Sequence, residues 1–212
     1  MKKLVNVLTI LLILTSCLKD KVPVPPPPEV TVPILHQTFV SPESFTCVDT
    51  VIQHPSGCGM IVYPIDTIVS RTIDLDADGQ ADFEIECESW YHFLSASNPC
   101  ANYNTSYIIT ALQYGAAIAT VGDYSEIRKY AENEYILPNA QWRTSAAILL
   151  DVTTAPYATD FFGLSYFGLR LYKANEVWYG WLKLEKSGYH LTLLASGVKQ
   201  GPSTGIKAGQ IQ

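Results

Sequence analysis

"YFGLRLYKANEVWYGWLKLEKSGYHLTLLAS", residues 166–196, decides the fold class. Its three apolar-rich runs are separated by Ala174-Asn175-Glu176 and by Ser187-Gly188, both suited to tight turns, so it reads as an antiparallel meander. Successive side chains of a strand point to opposite faces. That alternation gathers Phe167, Leu169 and Leu171 on one side, with Trp178, Leu182 and Leu184, as the expected core. Arg170, Tyr172, Tyr179, Trp181 and Lys183 fall on the other side, where aromatics mix with charge. Arg170, Tyr172, Tyr179 and Trp181 are therefore candidate ligand-binding residues, because sugar rings stack on flat aromatic surfaces with polar edges. Gly180 among them also fits a face closed by backbone packing.

The rest of the chain carries the same signature. Short runs rich in Val, Ile, Thr, Tyr and Trp, bounded by Gly, Pro, Asn and Asp, are expected strands over 49–54, 59–64, 66–75, 82–93, 106–120 and 142–154. One piece, "DYSEIRKYAENE" (123–134), is weakly helical in pattern. Strands at this spacing with little helix imply an all-β domain, a β-sandwich or jelly roll of antiparallel sheets.

Between two of these strands lies "DLDADGQAD" (74–82). Asp74, Asp76 and Asp78 take alternate positions, Gly79 permits a sharp reversal, and Asp82 follows. Calcium takes six to eight oxygens, so converging carboxylates with the carbonyl of Gln80 form an expected structural calcium site, Asp82 binding through both oxygens. An EF-hand needs Glu at the twelfth position and flanking helices; here Ile85 stands there, within a strand pattern. Four carboxylates at close range repel unless a cation or protons intervene.

The N-terminus gives the compartment. Lys2 and Lys3 precede an apolar run, Leu4 to Leu14, too short to span a bilayer but suited to a signal peptide. It ends in Leu14-Thr15-Ser16-Cys17, similar to a bacterial lipobox, so residues 1–16 are the expected signal and Cys17 the acylated terminus. More than one acyl chain gives a lasting anchor in the lipid bilayer. Residues 17–33, with six prolines after Cys17, form an expected extended tether of about 50 Å at most, before a single β domain, 34–212. Losing Lys2 and Lys3 moves the net charge from −6 to −8, with no basic cluster, which argues against a nucleic-acid partner. Cys47, Cys58, Cys87 and Cys100 would meet an oxidising compartment. Local bridges, Cys47–Cys58 and Cys87–Cys100, are favoured among the three pairings; no CxxC pair suggests zinc.

Catalytic patterns are thin, and an enzyme is the less favoured reading. Glu84, Glu86 and Glu88 share one strand face about 7 Å apart, a spacing open to the acid and base of a glycosidase but equally to a solvated face. Gly201-Pro202-Ser203-Thr204-Gly205 matches the nucleophile-elbow pattern, yet no Asp, Glu or His follows it. His36, His54, His92 and His190 make no metal-binding pattern.

The stretches "IDLDADGQADFEIE", "YFGLRLYKANEVWYGWLKLE" and "GIKAGQ" together resemble a family of secreted lipoproteins of the Bacteroidota that carry an aspartate-rich loop and a Tyr-Gly-Trp strand. The resemblance implies an outer-membrane lipoprotein, on the periplasmic or cell-surface face, with a β fold; it supplies no activity and no catalytic residues. Lys19-Asp20-Lys21 is similar to the export signal of such lipoproteins, and Asp49-Thr50-Val51 and Asp66-Thr67-Ile68 resemble sites these bacteria O-glycosylate. The expected function is a membrane-anchored, calcium-stabilised binding or adhesion module, for glycans or an envelope protein. The alternatives are a glycan-active hydrolase using the strand carboxylates and a structural subunit of an envelope complex.

Overall fold

Phe167, Leu169 and Leu171 alternate into the interior with Leu182 and Leu184, as the period of two requires, and the meander around them is the spine of the fold. The structure, a computed structural model, describes residues 32–46, 48–53, 60–64, 69–92, 102–122, 126–149, 163–188 and 190–212. The expected signal peptide, Cys17 and the tether up to residue 31 lie outside them.

The first six strands are β1 (Ile34–Phe45), β2 (Val48–Gln53), β3 (Met60–Pro64), β4 (Ser70–Ile73), β5 (Phe83–His92) and β6 (Asn102–Ala111). Short segments follow: β7 (Ala117–Val121), β8 (Glu126–Ile127), β9 (Lys129–Tyr130), β10 (Tyr135–Ile136), β11 (Gln141–Arg143) and β12 (Ser145–Leu149). The chain closes with the meander strands β13 (Gly163–Lys173), β14 (Glu176–Ser187) and β15 (His190–Lys199), and then β16 (Ile206–Lys207). No described residue is helical, so the fold is all-β.

One large sheet runs β1-β15-β14-β13-β7-β8-β12-β6-β5-β4, with β11 beside β7 and β9 beside β13; among the described residues only its β8–β12 pairing is parallel. It curls around its core. Phe45, on one edge strand, meets Tyr107 of β6 edge-to-face at 5.3 Å, and the Tyr107 hydroxyl donates to the Phe45 carbonyl at 2.9 Å. Arg71, on the opposite edge strand, lies 5.7 Å above the Phe45 ring.

Two features separate this sheet from the sequence reading. The expected helix over 123–134 is absent among the described residues, where β8 and β9 stand instead. Helical spacing would put Ile127 and Tyr130 on one face, whereas Ile127 joins the large core and Tyr130 joins a second cluster. β1 was not foreseen. Pro42 falls in it where the register slips between Thr38 and Glu43, and proline within a run points away from a strand unless it lies at an edge or bulge.

The second cluster covers the other face of the meander. Tyr166, Tyr179 and Trp181 are buried there with Tyr130, Ile136 and Ile206. Trp181 is flanked across both neighbouring strands by glycine, Gly168 on β13 and Gly197 on β15. A Cβ at Gly197 would stand 2.7 Å from the indole, so the absence of a side chain is what admits the ring. The ring also donates from Nε1 to the Gln210 carbonyl at 3.1 Å, which fastens the C-terminal segment down.

Candidate metal centre

The acidic loop joins β4 to β5, and its base is closed by Asp82. The Asp82 amide donates to the Ile73 carbonyl, its Oδ2 accepts from the Leu75 amide, and its carbonyl accepts from the Leu112 amide, each at 2.8 Å. Leu75 is wholly buried and plugs the core beneath the loop. Above this base the aspartates organise their own backbone. Asp74 accepts from the amides of Asp78 (3.2 Å) and Gly79 (2.7 Å), Asp76 from Asp78 (3.3 Å), and Asp78 from Gln80 (2.8 Å). The Asp76 and Asp78 bonds, each to the amide two residues on, are Asx-turn bonds; with the longer-range Asp74 bonds they hold the reversal that Gly79 makes at φ 88°.

Asp74, Asp76 and Asp78 each offer a carboxylate oxygen, and the three oxygens lie within 4.8 Å of one another, so the cluster could hold a metal ion. Asp82 is not in that group. One of its oxygens is committed to Leu75, so it does not stand as a two-oxygen ligand; the other, Oδ1, is fully buried and without a hydrogen bond. Burial raises its pKa to about 6, the neighbouring Asp76 charge adding to the effect against the Leu75 hydrogen bond. The Gln80 side chain is exposed, its amide serves Asp78, and its Oε1 lies 3.5 Å from Gln113 Nε2.

A cation already stands in the cluster. Lys173, the last residue of β13, reaches over from the meander and puts Nζ 2.8 Å from Asp78 Oδ2, 3.0 Å from Asp76 Oδ2 and 3.8 Å from Asp82 Oδ1. Its position comes from the two-residue turn Ala174-Asn175, where φ is 51° and 66°, a pattern that matches the twist of a hairpin. Desolvation pulls the Lys173 pKa down, but the Asp78 and Asp76 hydrogen bonds outweigh it and hold the ammonium above the ordinary lysine range. Reciprocally, the Lys173 hydrogen bond holds Asp78 below the usual carboxylate range. The sequence reading missed Lys173. Its only signal was its place one residue before a hairpin turn, which says nothing of what it faces.

The aromatic residues expected to form an open platform are split. Tyr179 and Trp181 are 6% and 1% exposed, because β9, β10, β11 and β16 close over that face; the expected exposed platform is not presented. Trp142 lies 5.8 Å from the Tyr179 ring, and Arg170 stacks above Trp142 at 5.1 Å. Tyr172 is exposed. What remains open beside Trp181 is a cleft of about 460 Å³, walled by His36, Phe39, Tyr166 and Lys183 among others. Its size suits a small ligand, and it pairs ring edges with charge.

The other candidates resolve simply. Phe83 and Ile85 are buried, Glu84 is half-buried opposite Thr72 and Thr110, and Glu86 is exposed opposite Ser70; neither glutamate lines the cleft. The Glu88 side chain lies outside the description. Ser203 Oγ is engaged within its own turn, donating to the Gly205 carbonyl at 2.6 Å and accepting from the Gly205 amide at 3.1 Å. Cys87 is in a disulfide, while Cys47, Cys58 and Cys100 lie outside the described residues, so the pairing stays a sequence expectation. Thr50 is exposed and donates to Asp49 at 3.0 Å; Thr67 lies outside the description. No family model, curated protein or solved structure matches the chain.

Proposed function

We propose that the chain is an exported lipoprotein, acylated at Cys17, whose β domain is stabilised by calcium and serves as a binding or adhesion module. The observation that carries this is the convergence of the Asp74, Asp76 and Asp78 carboxylates at one end of the curled sheet. Hard oxygen donors suit calcium, and Asp82 Oδ1, buried without a hydrogen bond and 3.8 Å from the Lys173 ammonium, sets a fourth carboxylate beside the three. The role is structural, since the loop joins β4 to β5 and also bonds the β6–β7 connection through Gln113, which donates to the Ala81 carbonyl at 3.2 Å. Thermal melts of the mature chain with millimolar calcium and with chelator test the metal: binding raises the melting temperature, and superimposable melts would defeat the reading.

The cleft beside Trp181 is the surface we assign to the ligand, with glycans as its class. Aromatic walls with His36 and Lys183 at the edges match the mixed apolar and polar faces of a sugar. Glycan-array binding should weaken about tenfold in His36→Ala or Lys183→Ala, roughly the worth of one good contact. Unchanged binding in both variants removes the cleft from the account.

A further inference from the structure

We propose that Lys173 is a tethered occupant of the aspartate cradle, and that a divalent cation enters by displacing its ammonium. The inference rests on the calcium reading of this loop and goes beyond it, because it makes a residue 91 positions after Asp82 the setter of affinity. The geometry carries it. Nζ lies at 3.0 Å and 2.8 Å from two of the three carboxylates that would ligate the ion, so ammonium and metal claim the same carboxylates. The fully buried Asp82 Oδ1, unbonded and 3.8 Å from Nζ, marks the inner wall of the same volume.

Charge favours the exchange. Three aspartates meet one ammonium and Asp74 adds its charge to the cluster, which leaves it negative; a divalent ion places twice the charge at the same point. The lysine can leave. Its side chain is 23% exposed and its stem flexible, so the head can swing out to water without disturbing β13. Glu176 is its direct cross-strand partner, and offers a second carboxylate within reach on the same face of the hairpin. The loop thus has two cation-filled arrangements: lysine in, or metal in with lysine out. The first ties β13 to the β4–β5 loop before metal arrives, and its stability subtracts from the apparent affinity for calcium.

Calcium titration of the mature chain by calorimetry, wild type against Lys173→Gln and Lys173→Arg, tests this. Lys173→Gln should bind calcium at least about tenfold more tightly than wild type, while Lys173→Arg, which keeps a cation, should not. In ¹⁵N-lysine spectra of the wild type, calcium should move the Lys173 Nζ signal toward that of a solvent-exposed lysine, a readout independent of whether a variant folds. Equal affinities with an unmoved Nζ signal would overturn the displacement while leaving the calcium site standing. Absence of binding in every protein would overturn both.

Discussion

Lys173 Nζ and Asp78 Oδ2, 95 residues apart in sequence, meet at 2.8 Å, and that contact joins the acidic loop to the central hairpin. Without metal it is the chief counterweight to the crowded carboxylates. In chelator, Lys173→Met should lower the melting temperature slightly, as suits a partly exposed ion pair. High salt should shrink the difference. A variant as stable as wild type at low salt would show that the cluster needs no counter-ion.

Asp76 is the proposed ligand whose loss should be cleanest. Its carboxylate is 5% exposed and belongs to the three-oxygen cluster, while its hydrogen bond to the Asp78 amide is a long one at 3.3 Å. Asp76→Ala should abolish the calcium-dependent rise in melting temperature. A variant that keeps the full rise would place the metal elsewhere.

Asp82 gives a pH dependence whose sign follows from its raised pKa. The metal-free folded chain binds this proton more tightly than the unfolded chain does, so acidification from pH 7 toward 5 stabilises it. The gain is complete below the ordinary Asp value near 3.8 and is lost as pH rises through about 6. Asp78, held low by Lys173, acts in the opposite sense in a lower window, its contribution falling away only below about 3.8. In chelator, the wild type should therefore gain on the order of 1–2 kcal/mol between pH 7 and 5. Asp82→Asn keeps an acceptor for the Leu75 amide but cannot titrate, and should flatten that slope. Parallel slopes in the two proteins would assign the pH effect to other groups.

Trp181 and Gly197 form a volume-matched pair. Gly197→Ala drives a Cβ into the indole at 2.7 Å and should cost about 1–3 kcal/mol. Trp181→Ala should cost about 3–5 kcal/mol and free the C-terminal segment from its Gln210 anchor. Urea melts followed by circular dichroism measure both. A neutral Gly197→Ala would mean that the ring has room to move.

The meander was legible because Phe167, Leu169, Leu171, Leu182 and Leu184 repeat with period two over strands long enough to show it. The aspartate loop was legible because calcium chemistry constrains residue type and spacing within nine positions. Lys173 was not, since only the long-range pairing of the sheet brings it there. The cover over Trp181 comes from β9, β10, β11 and β16, strands of two or three residues, too short to leave any periodic trace. Proline and a register slip hid β1, and Ile127 with Tyr130 mimicked a helix while serving opposite faces of the sheet.

The pairing of Trp181 with Gly197 has a consequence for how this sequence can drift. The indole occupies space that β15 leaves open by carrying no side chain at position 197, whereas a Cβ at Gly168 would meet Ile136, Ala119 and Tyr130 instead. Enlarging position 197 is tolerable only with a smaller ring at 181, and a smaller ring would open a cavity that position 197 must then refill. The two positions should therefore change together across descendants of this chain or not at all, a constraint set by volume alone.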